Sequence, residues 1–285
     1  MDSAKLCVSV VIPVFNEEDT IGSCLDSIVN QIVAADEIIV VDNGSTDATA
    51  DRVEVYRDRV IMLREPRRGV HYARSTGMDA ASGDLIARID ADTVLPRCWV
   101  GQIHDRFADA AIGAVTGPVR YYDIRFPGLI ARLDLLLRTW WAWASRQHLD
   151  WVFGSNMAIR ADAWQAVRGA LCQDRRVHED VDLGIHLFAA GFRVIFAPEL
   201  VAGVSARRIR DSFREFSAYL RMTEQSFAMH AGITSGNSCR RARLTNRLIL
   251  AFYFPLRFLH YSYCSGRQRE LRASMAVRKN PMSDG

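Results

Sequence analysis

The sequence predicts an α/β fold with a mostly parallel central sheet flanked by helices, followed by a helical, amphipathic C-terminal tail. Two observations carry this prediction. Apolar, β-branched runs of strand length recur along the first third of the chain, and most are followed by a turn and then by residues at helical spacing. Strands that alternate with helices pair in parallel and place helices on both faces of the sheet. A chain of 285 residues, 49% of them hydrophobic, is long enough to bury such a core.

Four strand-like runs and three helix-like stretches follow one another in this first part. The first run, VSVVIPV, is typical of a buried strand, and apolar residues then recur at helical spacing from Ile21 to Ile32. The second run, EIIVV, precedes a more polar helix-like stretch. The predicted strands are residues 8–14, 37–41, 60–63 and 85–89, and the predicted helices are residues 21–32, 48–57 and 71–81.

Polar and acidic stretches follow directly after three of these strands. They are Asn16-Glu17, residues 42–47 and residues 90–92. In open parallel sheets, ligands bind beyond the carboxyl ends of the strands. We therefore expect these three stretches to converge at one edge of the sheet.

The pair Asp90 and Asp92 is a candidate metal site. The motifs GxGxxG and GxxxxGK[ST] are absent, and acids stand where those nucleotide-binding folds carry glycine and lysine. Carboxylates repel a bare diphosphate by roughly 4 kcal/mol for two unit charges about 4 Å apart at an effective dielectric near 20. Bound Mg²⁺ or Mn²⁺ reverses this effect, and such a cation needs only one or two protein carboxylates. Taken alone, D-x-D is also compatible with an ordinary acidic turn.

Five ordered motifs add a specific resemblance. They are VSVVIPVFNEEDTIGSCLDSI, EIIVVDNGSTDAT, GVHYARSTGMDAASGDLIARIDADT, FGSNMAIR and HEDVDLGIHLFAAGFRVIF. Over residues 7–208 the chain resembles the family 2 inverting glycosyltransferases with the GT-A (nucleotide-diphospho-sugar transferase) fold. The resemblance implies metal-assisted transfer of a sugar, with inversion, from a nucleotide-diphosphate donor to an acceptor hydroxyl.

The resemblance also implies roles for individual residues. The implied donor-binding residues are Pro13, Phe15, Glu17, Asp42, Asp47, Arg74 and Asp90, and the implied metal ligands are Asp92, directly, and Asp90. The implied acceptor-side residues are Gly154, Ser155, Asn156 and Glu179, the implied catalytic base is Asp180, and Arg207 and Arg208 are expected near the leaving diphosphate. Two positions depart from the family pattern: Phe15 stands where Tyr is frequent, and Ser75 stands where Asn is usual.

The chemistry of such a transfer supports a base in the second half of the chain. Displacing a diphosphate requires a base on one side of the sugar and charge neutralisation on the other. Glu179 and Asp180 open a predicted amphipathic helix, where the helix dipole favours an ionised carboxylate that can accept a proton. The alternative is that the pair only caps the helix. His178, just before them, is interpreted as a solvated turn residue.

Charge divides the chain into a body and a tail. From Cys239 to the end there are ten Lys and Arg against two acidic residues, whereas residues 1–238 carry 26 basic and 31 acidic residues. The predicted units are a nucleotide-sugar-binding half (1–114), an acceptor-binding and catalytic-base half of the same domain (115–238) and a basic amphipathic tail (239–285).

The tail and a tryptophan-rich segment each have two interpretations. Apolar residues beside the tail arginines favour a membrane surface over nucleic acid as the partner, and a helix packed on the body is the alternative. Trp140, Trp141 and Trp143 fit either a membrane interface that receives a lipid-linked acceptor or a packed core.

The predicted location is cytoplasmic, with peripheral association at the inner face of a membrane as a further expectation. The six cysteines form no CxxC pair and no Cys/His cluster, so the sequence suggests neither a zinc site nor a disulfide framework, and no signal-peptide pattern opens the sequence.

Three other classes of protein fit the sequence less well. A nucleotidyltransferase would bring a glycine- and lysine-rich segment near residues 12–24, which contain only Gly22 and no Lys. A glycosidase needs two carboxylates and no nucleotide, which leaves Asp42, Asp90 and Asp92 unexplained. A non-catalytic adaptor of the same fold would not need these acids. The sequence leaves open the sugar, the nucleoside, the acceptor, which could be lipid-linked or a cell-envelope glycan, and the oligomeric state.

Overall fold

A computed structural model describes residues 6–144, 149–174, 176–234 and 237–278. The strands are β1 (Val8–Val14), β2 (Glu37–Asp42), β3 (Ile61–Arg64), β4 (Leu85–Arg88), β5 (Ile112–Thr116), β6 (Val119–Tyr121), β7 (Met157–Arg160), β8 (Arg193–Phe196) and β9 (Ala202–Val204). The helices are α1 (Ile21–Val29), α2 (Thr49–Glu54), α3 (Val70–Ala80), α4 (Trp99–Phe107), α5 (Pro127–Ala144), α6 (Ala161–Val167), α7 (Glu179–Ala189), α8 (Phe213–Met229), α9 (Ser238–Ala251) and α10 (Tyr253–Arg278).

The central sheet has seven strands in the order β3-β2-β1-β4-β7-β5-β8. Four of its pairings are parallel, and β7 runs antiparallel to both of its neighbours, β4 and β5. The prediction of a mostly parallel sheet flanked by helices is confirmed. A short parallel pair, β6 and β9, lies beside it and is joined to the loop after β4 through Val94 and Gly203.

Alternate residues of β1 point to opposite faces of the sheet, as the strand period requires. Val10 and Ile12 belong to a core cluster with residues of α1 and α4. Val11 belongs to a second cluster on the other face, which includes residues of α6, α7 and α8. The apolar run of β1 is therefore continuous because both faces of the strand are buried.

The first predicted helix is shorter in the structure than in the prediction. It ends at Val29, and Ile32 is 71% exposed. The chain leaves the helix because the Ile32 N–H donates to the carbonyl of Arg97 at 2.8 Å, and because the Gln31 side chain binds the carbonyl of Pro96 at 2.8 Å. These long-range hydrogen bonds are not encoded in the local apolar pattern.

The part of the tail that the structure describes, residues 239–278, lies in α9 and α10, which pack on the body. Tyr253 and His260 are buried, and the Tyr253 hydroxyl donates to the carbonyl of Asp211 at 2.6 Å. Asn246 is buried against α8, where its Nδ2 donates to the carbonyl of Leu220 at 2.8 Å. Within the described residues, no helix combines the length and the apolar character that crossing a bilayer requires.

Candidate active site

The acidic stretches meet beside a cavity of about 1230 Å³ at the carboxyl ends of the strands. The parallel register places Val14 beside Asp42 and Val11 beside Arg88, so the three strands β1, β2 and β4 end at one edge. Among the predicted site residues, the cavity is lined by Pro13, Phe15, Glu17, Arg74, Asp90, Asp92, Ser155, Glu179, Asp180, Arg207 and Arg208. The fold therefore gathers residues from both halves of the body around one space.

Asp42 and Asp47 do not line this cavity. Asp42 is buried, and its Oδ1 accepts a hydrogen bond from the Ser45 N–H at 2.9 Å. Asp47 accepts from the Glu18 N–H at 3.2 Å and from the Thr49 N–H at 3.0 Å. Asp42 therefore orders the loop after β2, and Asp47 joins that loop to the segment after β1.

Asn156 and Gly154 also lie outside the cavity lining, and their contacts explain why. The Asn156 side chain is fully buried, donates to the carbonyls of Pro118 and Leu200, and accepts from the Trp99 Nε1–H at 2.9 Å. Every hydrogen bond of this side chain therefore goes to the protein interior. A Cβ atom on Gly154 would lie 2.1 Å from Arg88 Nη2, so glycine is needed for this close approach.

Three carboxylates and one arginine form the acidic side of the cavity. Arg207 lies in a short 3₁₀ helix, residues Arg207–Arg210, and its guanidinium binds both oxygens of Glu17. Its Nε lies 3.1 Å from Asp92 Oδ2. Burial raises the pKa of Asp92 to about 6, with Asp90 and Glu17 adding to the rise and Arg207 opposing it. The negative charge on Asp92 is thus only partly compensated.

A second ionic group joins the acidic stretch after β4 to the start of α7. Arg74 Nη2 lies 2.9 Å from Asp90 Oδ1, and Arg74 Nη1 contacts Glu179 Oε1. Arg88 Nη2 lies 3.5 Å from the same oxygen of Glu179. Glu179, predicted on the acceptor side, therefore lines the cavity as the partner of two arginines.

Asp180 lies in the first turn of α7 and lines the same cavity. Its Oδ2 accepts from the Gly154 N–H at 3.0 Å, and its Oδ1 accepts from the Val181 N–H at 2.8 Å. Burial alone would raise the pKa of Asp180, but the charge interaction with His178, followed by those with the guanidinium groups of Arg88 and Arg74, lowers it below the ordinary value. Asp180 is therefore ionised at neutral pH.

The interpretation of His178 as a solvated turn residue is wrong. The side chain is buried because α8 packs over it, and its Nε2 lies 3.1 Å from the carbonyl oxygen of Tyr219. Its backbone N–H donates to Ser226 Oγ at 2.9 Å. Burial lowers the pKa of His178, and Asp180 opposes that shift.

Two residues at the site were not singled out from the sequence. Arg88 is fully buried in β4, and its Nε donates to the carbonyl of Gly154 at 3.2 Å. Asn43 lines the cavity and holds the loop after β3, because its Nδ2 donates to the carbonyls of Glu65 and Arg67. A single cation inside the apolar run LIARI was the available signal for Arg88, whereas nothing in the local pattern marks Asn43.

The acidic side of the cavity has the donor atoms that a hard divalent cation prefers. The side chains of Asp90, Asp92 and Glu17 line one cavity, and Mg²⁺ or Mn²⁺ binds through one or two such carboxylates together with phosphate or water oxygens. The raised pKa of Asp92 means that its buried negative charge is unfavourable, and a bound cation would relieve that cost. The residues on this side of the cavity are therefore suited to binding Mg²⁺ or Mn²⁺.

Solved structures share this architecture. "Mannosyltransferase PcManGT from Pyrobaculum calidifontis in complex with GDP-Man and Mn2+" superposes with a TM-score of 0.69 at 22% identity, covering 96% of this chain and 81% of that chain. The S. aureus protein TarS 1-349 superposes with a TM-score of 0.58 at 13% identity, covering 87% and 72%. The chain has the GT-A fold.

Sequence comparison then places the chain in a family. The sequence profile "Glycosyl transferase family 2" matches residues 9–168, more than half of the chain. The chain belongs to glycosyl transferase family 2.

Curated relatives are similar over parts of their length. "Probable glycosyltransferase YdaM" of Bacillus subtilis is 28% identical over 213 residues, covering 68% of this chain and 49% of that protein. An "N-acetylglucosaminyltransferase" of Bradyrhizobium diazoefficiens is 27% identical over 238 residues, covering 76% and 48%. The chain spans 49% or less of the length of each of these relatives, and only 16% of "Glycosyltransferase GlyA" of Streptococcus pneumoniae.

Proposed function

We propose that this protein is an inverting glycosyltransferase that moves a sugar from a nucleoside-diphosphate donor to an acceptor hydroxyl. One observation carries the proposal. A single cavity brings the carboxylates of Asp90 and Asp92, next to Arg207, together with the ionised carboxylate of Asp180. Inverting transfer needs these two kinds of group: charge neutralisation for a departing diphosphate, and a base for the attacking hydroxyl.

The donor is assigned to the side of the cavity near β1 and the acidic stretch after β4. Phe15 is 45% exposed and lies under the guanidinium of Arg68, 5.6 Å from ring centroid to Cζ, so it offers a stacking surface for a nucleobase. A divalent cation held by Asp92 and Asp90 would neutralise the diphosphate. Arg207 and Arg208 line the same cavity and add positive charge for the leaving group. The similarity to the P. calidifontis mannosyltransferase, whose structure is a complex with GDP-Man and Mn2+, supports a donor of this class.

Asp180 is assigned as the catalytic base. It accepts the proton of the acceptor hydroxyl while the acceptor oxygen forms a bond to the anomeric carbon. The bond from that carbon to the diphosphate oxygen breaks, and its electron pair leaves with the diphosphate. Because the hydroxyl attacks from the side opposite to the leaving group, the configuration at the anomeric carbon inverts. The hydrogen bonds from the N–H groups of Gly154 and Val181 hold the Asp180 carboxylate in one orientation.

The decisive experiment compares Asp180→Asn with wild type. Nucleotide-sugars, including GDP-mannose and UDP-N-acetylglucosamine, are screened with Mn²⁺ for transfer or slow hydrolysis, and donor affinity is measured by calorimetry. We expect turnover to fall by about 10²–10⁴-fold, the usual contribution of a general base, with donor affinity changed only a few-fold. Asp174→Asn, at an ion pair with the exposed Arg176, is the matched control and should retain activity.

Two outcomes would count against the proposal. Equal losses of donor affinity and turnover in Asp180→Asn would show that this residue binds the donor and is not the base. A wild-type chain that binds none of the nucleotide-sugars in the presence of manganese would favour the non-catalytic adaptor.

An exposed apolar face on α5 supports a location for the acceptor. Trp141 is buried in the core, but Trp143 is 74% exposed, so the two interpretations of the tryptophan segment apply to different residues. The exposed side chains recur at helical spacing along one face of α5. They are Leu129, Leu133, Leu136, Trp140 and Trp143.

This face of α5 continues onto α9. Trp140 lines a shallow depression together with Leu244, Arg240 and Arg241 of α9. The depression therefore combines apolar and basic side chains from the two helices, a composition that suits the interface of an anionic membrane. We assign this face to contact with a membrane surface, where a lipid-linked acceptor would reach the cavity.

Sedimentation with liposomes tests the membrane assignment. We expect the wild type to sediment with vesicles that contain anionic lipid and to sediment less with neutral vesicles, because the arginines contribute attraction. Trp143→Glu should reduce the bound fraction several-fold, whereas Val55→Glu, at an exposed apolar residue near the end of α2, should not. Equal binding by the two variants would remove α5 from the assignment.

A further inference from the structure

A second group of potential metal ligands lies between α7 and α8, apart from the acidic side of the cavity. Asp182 and His186 are four residues apart on α7, so they share one face of that helix. His230 directly follows the last residue of α8. One atom from each, Asp182 Oδ1, His186 Nε2 and His230 Nε2, lies within 4.8 Å of the other two. None of the three lines the large cavity.

The spacing of these atoms matches a tetrahedral metal site. Asp182 Oδ1 lies 3.5 Å from His186 Nε2 and 3.2 Å from His230 Nε2. Zinc binds nitrogen and oxygen ligands at roughly 2.0–2.1 Å, which in a tetrahedral arrangement separates neighbouring ligand atoms by about 3.3–3.4 Å. The two oxygen-to-nitrogen separations are therefore close to those that one ion would impose, and the two nitrogens lie within 4.8 Å of each other.

The hydrogen bond from His230 to Ser226 makes a direct contact between the neutral His230 ring and the Asp182 carboxylate unfavourable. His230 Nδ1 lies 2.8 Å from the carbonyl oxygen of Ser226, so this nitrogen carries the hydrogen and donates it. In the neutral ring the lone pair is then on Nε2, which faces the oxygen of a carboxylate. Two acceptors at this distance repel each other unless a proton or a metal cation lies between them. A carbonyl that fixes the remote nitrogen is also the usual support of a metal-binding histidine.

Burial makes the need for a cation stronger. Asp182 is 1% exposed, and its Oδ2 accepts from the Cys172 N–H at 2.8 Å. Its Oδ1 and the Nε2 atom of His186 are buried and have no hydrogen-bond partner among the described residues. A buried carboxylate oxygen without a donor costs free energy, and coordination to a metal ion removes that cost.

We propose that Asp182, His186 and His230 bind one divalent transition-metal ion of the zinc class, with the fourth position left to water. The ligands are two imidazoles and one carboxylate, a set that suits zinc better than magnesium. The ion would connect α7 to the end of α8. Since α7 begins with Glu179 and Asp180, the site would hold the proposed catalytic helix against the helix that covers His178. The proposal does not depend on transferase activity.

Zinc content is the test. The purified full chain is loaded with Zn²⁺, passed through gel filtration in buffer with excess Mg²⁺, and measured by mass spectrometry for zinc. We expect about one zinc ion per chain in the wild type and in His104→Gln, a control histidine on α4, and a loss of at least ten-fold in His230→Gln. Removing zinc with a strong chelator should lower the unfolding temperature of the wild type and leave that of His230→Gln unchanged.

A measurement on the wild type decides the case if His230→Gln does not fold. The zinc-free chain is titrated with Co²⁺ in the presence of Mg²⁺. Strong visible absorption bands at one equivalent indicate a four-coordinate site and support the proposal, whereas the weak bands of six-coordinate cobalt contradict it. A wild type that retains no zinc, or a His230→Gln variant that retains as much zinc as the wild type, also overturns it.

Discussion

Arg88 is a buried cation in the middle of an apolar strand. Its Nε donates to the Gly154 carbonyl, and its Nη2 lies 3.5 Å from Glu179 Oε1, so it connects β4 to the start of α7. Burial lowers the pKa of Arg88 to about 9, with Arg74 adding to the fall and Asp180 opposing it. The group is still a cation at neutral pH, and it helps to keep Asp180 ionised one residue beyond Glu179.

Replacing Arg88 should therefore cost stability as well as activity. In Arg88→Met, we expect the free energy of unfolding to fall by about 3 kcal/mol, the lower end for a broken buried ion pair, because Arg74 still contacts Glu179. Urea unfolding at pH 7 measures the change. Arg193→Met, at an ion pair with Asp109 in which both side chains are 50% exposed, should cost less than about 1 kcal/mol. Equal losses of unfolding free energy in the two variants would show that the buried ion pair of Arg88 stabilises the fold no more than an exposed ion pair does.

Glu65 is a second buried charge whose effect depends on pH. Its side chain is buried, and Arg67 binds both of its oxygens. Hydrogen bonds from Arg67, and then from Thr76, lower the pKa of Glu65 from 4.5 to about 2, against the opposing effect of desolvation. Because the folded pKa is lower than the unfolded pKa, the stabilisation is present above the unfolded value and is lost as pH falls towards the folded value.

Glu65→Gln tests this dependence. We expect the wild type to lose stability between about pH 4.5 and pH 2 more steeply than the variant, because only the wild type must protonate this group in the unfolded state. Urea midpoints at pH 7, 4 and 3 measure the difference. Glu54→Gln, at the exposed Glu54–Arg57 pair, should follow the wild-type curve. Parallel curves for wild type and Glu65→Gln would contradict the assignment.

At the scale of elements, α7 determines where the proposed base lies. The helix packs closely on the chain at Trp151, because a Cβ atom on Gly184 would lie 2.3 Å from the Cα atom of Trp151. Only glycine permits this approach. The same helix carries Asp180 towards the cavity and Asp182 and His186 towards α8, so its position affects both proposed sites.

Alanine substitutions at two glycines test whether α7 must pack this closely on Trp151. We expect Gly184→Ala to lower the free energy of unfolding by about 1–3 kcal/mol or more, because a backbone atom must move to admit the methyl group, and to lower turnover by displacing Asp180. Gly22→Ala in α1, where no atom lies within 4 Å of the new methyl group, should be neutral or stabilising by up to about 1 kcal/mol. Thermal unfolding of both variants measures the change in stability. A Gly184→Ala variant that is as stable and as active as the wild type would contradict the close packing of α7.

At the scale of the whole molecule, the cavity joins parts of the chain that are distant in sequence. Glu17 follows β1, whereas its partner Arg207 lies after β9, and Asp92 contacts the same guanidinium. A ligand that binds at this place therefore contacts both halves of the body. Such a ligand should stabilise the whole fold and not only one element.

Nucleotide binding should appear as a rise in the unfolding temperature. With a nucleoside diphosphate at about 100 times its dissociation constant and Mn²⁺ present, we expect the wild type to gain about 2.7 kcal/mol. Asp92→Asn should lose most of this gain because the cation loses its proposed direct ligand. Asp105→Asn, at an exposed position on α4, should retain it. A gain that is the same without added cation would contradict the assigned role of Asp92.

The local pattern of the sequence was sufficient for the first four strands and the acidic stretches that follow them. Apolar, β-branched runs and D-x-D are properties of neighbouring residues, so they can be recognised without knowing the fold. The five ordered motifs predicted the GT-A fold and the family, and both predictions are confirmed. The roles assigned to Asp92 and Asp180 remain predictions, although both residues line the cavity.

Only the tertiary structure decided which side chains meet. The antiparallel strand β7 lies between β4 and β5, and this order depends on long-range pairing. Three contacts join residues that are far apart in the chain. Asn156 forms hydrogen bonds in the interior, His178 is buried under α8, and His230 approaches Asp182. Periodicity reports whether a residue faces the interior, because that depends on its own element; it does not report the partner, because the partner is set by how distant elements pack.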